Sequence, residues 1–204
     1  MFSRRRTVPL RLLNLVVLLV LAVATFGCAR ADEPAETVLL VATPELGAGY
    51  SHTVLIAKRL TRERYVGLIL NRPTPMSLAA LFPNHEPSKK VAEPLHFGGP
   101  VAAEAVFALV RTKESPGGGS LRLAPDLFLA IDGPVIDAVI EQQPDRARFY
   151  AGFVVWEPGE LEAEIASGFW FVRAADTDVV FKKGTEGLWE ELIRRSRDVT
   201  ASLW

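Results

Sequence analysis

The sequence is poor in the residues that build cross-linked or metal-held scaffolds. It has a single cysteine, Cys28, so no disulfide can form within the chain and a small cross-linked secreted scaffold is excluded. Its three histidines, His52, His85 and His96, share no metal-ligand spacing, which leaves a zinc centre without support. No phosphate-binding glycine loop, dinucleotide fingerprint or Gly-x-Ser-x-Gly elbow is present, and no cofactor is expected. Glycine, at 15 of 204 residues, is too sparse for a collagen-like repeat, and no heptad is sustained. Net charge is small as well. Against 24 Asp and Glu stand 23 Lys and Arg, so nothing overall marks a nucleic-acid binder.

Apolar residues, by contrast, make up 49% of the chain, enough to bury a core and to exclude extensive disorder. The length suits one domain, or two small ones.

Arg4, Arg5, Arg6 and Arg11 precede a charge-free run from Leu12 to Ala29. A basic flank, an apolar stretch and small residues after it are the parts of an export signal. Three readings fit this segment. Thr25-Phe26-Gly27-Cys28 resembles a bacterial lipobox, whose cysteine becomes acylated. Ala29-Arg30-Ala31 is an A-x-A cleavage site that would release a chain from Asp32. The run is also only slightly shorter than the ~20 residues of a membrane span, so an uncleaved anchor is the third reading. Ser3-Arg4-Arg5-Arg6 hints at a twin-arginine signal, but Thr7 and Pro9 break the stretch that should come next. A lone free thiol is out of place in an oxidising compartment; acylation of Cys28 resolves this, and so does its removal with the signal. The lipoprotein reading leads.

The expected division is therefore a signal and short tether over 1–31 and a folded domain over 32–204, held at the cell envelope; the cytoplasm is the alternative. A chain starting at Cys28 keeps 19 Lys and Arg against 24 Asp and Glu, net −5, and one starting at Asp32 has net −6. Such a domain repels phosphate backbones unless its cations cluster. Lys58-Arg59 with Arg62 and Arg64, Lys182-Lys183, and Arg194-Arg195 with Arg197 are short and interspersed with acids. They read as solvated faces, and nucleic acid is disfavoured as a partner.

Val38–Ala42, Thr53–Ala57 and Val66–Leu70 are apolar at nearly every position, as in strands covered on both faces. Ser77 is a candidate N-cap for a helix to Phe82. Strands are expected at Leu95–Phe97 and Val106–Arg111, on either side of Gly98-Gly99-Pro100. Pro116-Gly117-Gly118-Gly119-Ser120 reads as a hairpin tip, with strands after it at Leu121–Leu123 and Leu127–Ile131. Pro134 sits in the first turn of a helix reaching Gln143. A strand at Phe149–Trp156, a helix from Pro158 to Gly168, a strand at Phe169–Val172 and a helix at Thr185–Arg195 complete the chain. Strand runs broken by single helices, without regular βαβ alternation, point to one α+β domain.

Four stretches in this order resemble the AlgH/YqgE family of bacterial proteins: Thr43-Pro44-Glu45-Leu46, Gly67-Leu68-Ile69-Leu70-Asn71-Arg72-Pro73, Phe97-Gly98-Gly99-Pro100-Val101 and Trp156-Glu157-Pro158-Gly159-Glu160-Leu161-Glu162. The resemblance runs from about Val38 to Arg194. It implies a compact α+β domain with a mixed, partly barrel-like sheet flanked by helices, and neither a shared catalytic residue nor a cofactor. Members are loosely described as transcriptional regulators, and most lack a signal peptide and are taken to be cytoplasmic. Val155 stands where the family has glycine, and Glu160 where it has glutamine.

The candidate ligand contacts are Asn71, Arg72, Gly98, Gly99, Trp156 and Glu160. Arg72, just past an apolar strand, could grip an anion bidentately; alternatively Asn71 makes a turn and Arg72 pairs with a nearby carboxylate. Gly98-Gly99 could offer backbone N–H groups to an anion, or only bend the chain between strands. Glu157, Glu160 and Glu164 share one helical face, where paired carboxylates could act as acid and base, although acids in a first helical turn are favoured by the dipole alone. Trp156 and Trp170 bracket that helix and pack it on the sheet. The leading expectation is an exported, lipid-anchored, non-enzymatic binding or accessory domain with a protein partner or a small anionic ligand. The alternatives are a cytoplasmic regulator of transcription and a hydrolase using Glu160 or His96.

Overall fold

The computed structural model describes residues 36–61 and 64–201. The expected export signal, both candidate cleavage sites and the lipidation candidate Cys28 lie outside the described residues. No helix among the described residues is long and apolar enough to cross a membrane.

The three apolar runs open the fold as an antiparallel meander: β1 (Thr37–Ala42), β2 (Val54–Arg59) and β3 (Tyr65–Ile69). All six residues of β1 are buried, as expected of a strand apolar at successive positions. A one-turn helix, α1 (Leu78–Leu81), comes after them, and Ser77 caps it by accepting from Ala80 N. Next come β4 (His96–Phe97), β5 (Val101–Arg111), β6 (Ser120–Ala124), β7 (Leu127–Ala130) and α2 (Gly133–Gln142). The chain ends with β8 (Ala147–Trp156), α3 (Glu160–Ala166), β9 (Trp170–Ala174), α4 (Thr177–Val180) and α5 (Leu188–Ala201).

The strands form one sheet in the order β6-β7-β5-β8-β3-β2-β1-β9, and β4 pairs separately with β8. Every pairing is antiparallel except that of β4 with β8. Leu39, Ile56 and Leu68 from one end of this order share a core cluster with Leu109, Leu127 and Leu129 from the other. Such distant strands meet only because the sheet curls, so the molecule is an α+β domain built on a half-barrel, with α5 closing the inner core through Leu188, Leu192 and Ile193. Alternate residues face outward, as the period of two requires. Leu40, Leu55 and Ile69 pack under Leu161 of α3, and Ala108, Val110 and Ala130 pack under Ile136, Val139 and Ile140 of α2.

Several expectations are corrected. The glycine-rich stretch at 116–120 is not a hairpin tip, because β5 pairs with β7 and not with β6. The tight hairpin is β6–β7, turning at Pro125-Asp126, and the glycines lie in the connection from β5 to β6, where Gly117 and Gly119 come close to Val135 and Asp132 at the start of α2. The helix expected from Pro158 starts at Glu160, since Glu157–Glu160 is a turn closed by Glu160 N on Glu157 O at 3.0 Å. The last helix starts at Leu188, whose N–H closes a turn on Thr185 O at 3.2 Å. Helix α4 is four residues long and too short for its periodicity to be seen.

The segment between β4 and β5 crosses β8 at very close range. A Cβ on Gly98 would stand 2.3 Å from Gly152 O, and one on Gly152 would stand 2.2 Å from Gly99 O. Gly152 is also left-handed, at φ +69°. Gly152→Ala is expected to destabilise the protein by about 3 kcal/mol or more, combining backbone strain with a clash against main chain that cannot move aside. Gly159→Ala, left-handed at φ +80° but in open space, should cost about 1 kcal/mol. Urea unfolding of the two variants checks the contrast; equal losses would refute the clash.

Candidate functional site

Asn71 ends β3 by binding the beginning of its neighbour. Its side-chain Oδ1 accepts from Val54 N at 2.9 Å and its Nδ2 donates to His52 O at 2.8 Å. The next residues form a ladder with the β4 region: Phe97 N donates to Arg72 O and Thr74 N to Leu95 O, both at 2.8 Å. The Arg72 backbone is thus pinned from two sides. Its side chain is half-buried and makes no hydrogen bond or ion pair with the described residues, so the pairing with a carboxylate that the sequence allowed is not formed among them.

The Arg72 charge is felt at the hydroxyl of Tyr50. Burial raises the Tyr50 pKa, with Glu164 adding to the rise and Arg72 opposing it. The Tyr50 ring meets Trp170 edge-on, with ring centres 6.3 Å apart. Trp170 in turn donates its indole N–H to Glu164 Oε2 at 2.7 Å, and Trp156 donates to the same oxygen at 3.0 Å. One carboxylate therefore ties α3 to two buried indoles on strands β8 and β9. Glu160 turns back to accept from Glu157 N at 2.9 Å, a helix-start contact, and its charge also reaches Tyr50.

Of the six candidate contacts, Arg72, Trp156 and Glu160 thus gather in the corner around Tyr50, and Asn71 holds the turn that presents Arg72. Gly98 and Gly99 lie apart, buried at the β8 crossing. The Gly98 N–H is spent on Ala151 O at 2.8 Å, and its carbonyl accepts from Ile69 N at 2.9 Å.

A second polar cluster was not read from the sequence. Arg148, on β8, has a side chain only 2% exposed. Its guanidinium holds Glu93 bidentately, at 2.7 and 3.2 Å, and donates to Val180 O at 2.6 Å and Lys182 O at 3.0 Å. It fastens the end of α4 to the sheet. The signal was an arginine inside Ala147–Trp156, an otherwise apolar strand run, as a charge there requires a partner. Burial alone would raise the Glu93 pKa, but the hydrogen bonds and charge of Arg148 outweigh it and hold the carboxyl below its usual range. The Tyr150 hydroxyl is buried, has no hydrogen bond of good geometry, and is pushed up in pKa by that burial. Its ring lies 5.5 Å from that of His96. His96 is itself buried, and burial, then the charge of Arg148, lowers its pKa to about 4.

Among the described residues no group of His, Cys, Asp or Glu could hold a metal ion. The low pKa of His96 has a defined consequence for stability. Between its unfolded value of 6.5 and about 4, the unfolded chain binds a proton there that the folded one does not, so stability falls as pH falls through that window. The loss should approach about 3 kcal/mol. Urea midpoints of the native protein and of His96→Gln across pH 4 to 7 measure it; parallel curves would refute the assignment.

A family model described as AlgH-like matches residues 39–199. A UPF0301 protein of Chlorobium phaeobacteroides is 30% identical over 159 residues, covering 76% of this chain and 83% of its own. Another, from Marinomonas, is 32% identical over 149 residues, covering 70% and 78%. The crystal structure of a Corynebacterium diphtheriae protein superposes with a TM-score of 0.67 at 25% identity, covering 80% of this chain and 88% of that one. The solution structure of the AlgH protein from Pseudomonas aeruginosa shares the fold, with a TM-score of 0.64 at 23% identity over 83% and 87% of the two chains. From the sequence match over nearly all of the described fold, and from the half-barrel it shares with these structures, the chain belongs to the AlgH-like family.

Proposed function

We propose that this protein is a non-catalytic binding domain that takes a small anionic ligand, or an acidic group of a protein partner, at Arg72. The observation that carries the reading is the state of that guanidinium. Arg148 shows what a structural arginine does in this fold: it is buried, and two carboxylate oxygens and two carbonyls occupy its donors. Arg72 is half-buried, pinned through its backbone, and unpaired among the described residues. A half-buried guanidinium on a pinned backbone, with none of its five donors taken among the described residues, suits planar, bidentate recognition of a carboxylate or phosphate. Tyr50 beside it supplies a neutral hydroxyl, which burial keeps protonated.

The proposal places the domain at the cell envelope, exported and held there by acylation of Cys28. Its support is the basic flank, the apolar run and the Gly27-Cys28 pair in a chain with no other cysteine. One acyl chain gives only marginal membrane binding, so stable anchoring takes more than one.

Two measurements test the two halves. Calorimetric titration with acetate and with phosphate should show binding that Arg72→Ala weakens by at least about tenfold, the worth of one charge-assisted pair. Equal affinity in the variant would remove Arg72 from the site. Fractionation with intact-mass analysis should find a chain beginning at acylated Cys28 in membranes, and a soluble chain in Cys28→Ala. Unmodified full-length protein in the cytosol would overturn the export reading.

A further inference from the structure

Pro73, Glu93, His96, Arg148, Thr185 and Glu186 line a cavity of about 180 Å³. Arg72 does not line it, although its neighbour Pro73 does, so a ligand in this cavity and an anion at Arg72 use different side chains. The cavity is built on fixed groups. Arg148 is held by four hydrogen bonds, and the backbone of His96 bridges to Pro73. His96 is 3% exposed.

The proton on His96 can be located. Nδ1 lies 3.1 Å from Pro94 O, and a carbonyl can only accept, so Nδ1 carries the hydrogen. The ring is neutral above about pH 4, which leaves a bare lone pair on Nε2. Nε2 has no partner among the described residues. Thr185, also buried, likewise has no side-chain hydrogen bond among them. Neither Nε2 nor Thr185 Oγ1 is among the polar atoms shut off from solvent without a partner, so both stand open to the cavity that their residues line.

We infer that this cavity binds a small uncharged molecule through a hydroxyl or amide N–H that donates to His96 Nε2, with Thr185 Oγ1 as its second contact. Charge selects this class. Among the lining residues the one cation, Arg148, is already met by Glu93, and Glu186 adds a carboxylate, so an anion finds no free cation in the lining; Lys183, whose charge reaches Glu93, does not line the cavity. An ammonium ion would face the buried guanidinium. The volume equals about six waters at ~30 Å³ each, room for a molecule the size of glycerol or acetamide.

The test is an NMR titration of the ¹⁵N-labelled full-length protein with glycerol, acetamide and acetate. Saturable shifts at the His96 ring and at Thr185 are expected with glycerol or acetamide and not with acetate. His96→Gln, which keeps an acceptor, should retain binding, and His96→Phe should weaken it by at least about tenfold. Should the Phe variant not fold, Thr185→Val serves in its place, with weakened binding expected. Absence of saturable shifts with both neutral probes, equal shifts with acetate, or unchanged affinity in the folded variant would overturn the inference. The acetate titration is repeated in Arg72→Ala, so that shifts relayed from an anion at Arg72 are told apart from binding in the cavity.

Discussion

Strand β8 carries two sheets' worth of hydrogen bonds. One edge pairs with β5 along Ala147–Ala151 and again at Phe153, while the other serves β4 at Tyr150 and Ala151 and then β3 from Val154 to Trp156. The register with β5 breaks between Val101 and Val106, opposite Gly152, where the strand kinks and the Gly98-Gly99 segment crosses it. A flat sheet could not present Leu39 and Leu129 to one core. The bend in β8 curls it, and bulges with glycine kinks are how sheets acquire such curvature. Without this crossing neither the inner core nor the turn that presents Arg72 would have its present shape.

On this frame the ionic side chains divide by burial. Arg148 is satisfied four times inside the molecule and joins β8, Glu93 and the end of α4. Glu164 does the corresponding work on the outer face, one oxygen holding the indoles of Trp156 and Trp170. Both replace water at charged groups with several protein partners, the condition under which buried charge is tolerated. Surface pairs such as Arg64 with Glu157 or Arg111 with Asp178 are exposed and contribute little to stability.

Much of the fold was legible where local chemistry decides it. The runs at Val38, Thr53 and Val66 became β1 to β3 within a residue or two, Ser77 caps its helix, and Pro134 sits in the first turn of α2. What escaped depends on partners distant in the chain. Nothing local says that β7 lies between β5 and β6, because pairing order is settled by which faces share the inner core. The site divides in the same way. Asn71 and Arg72 could be read as a turn and an offered guanidinium, and Trp156 and Trp170 as packing groups. The role of Glu164 between the indoles, Tyr50 beside Arg72, and the Arg148–Glu93 pair arise only when β8, β9 and α3 assemble.

The placement of β1 between β2 and β9 bears on how the chain is made. Val38 pairs with Ala174, a partner about 136 residues later in the sequence. At ~5–20 residues per second, synthesis takes on the order of ten seconds to deliver β9 after β1 has emerged. During that time the uncharged run Val38–Ala42 is an uncovered edge strand, the kind of segment that pairs with other chains. Until β9 emerges, the fold of the nascent chain cannot cover this edge of β1.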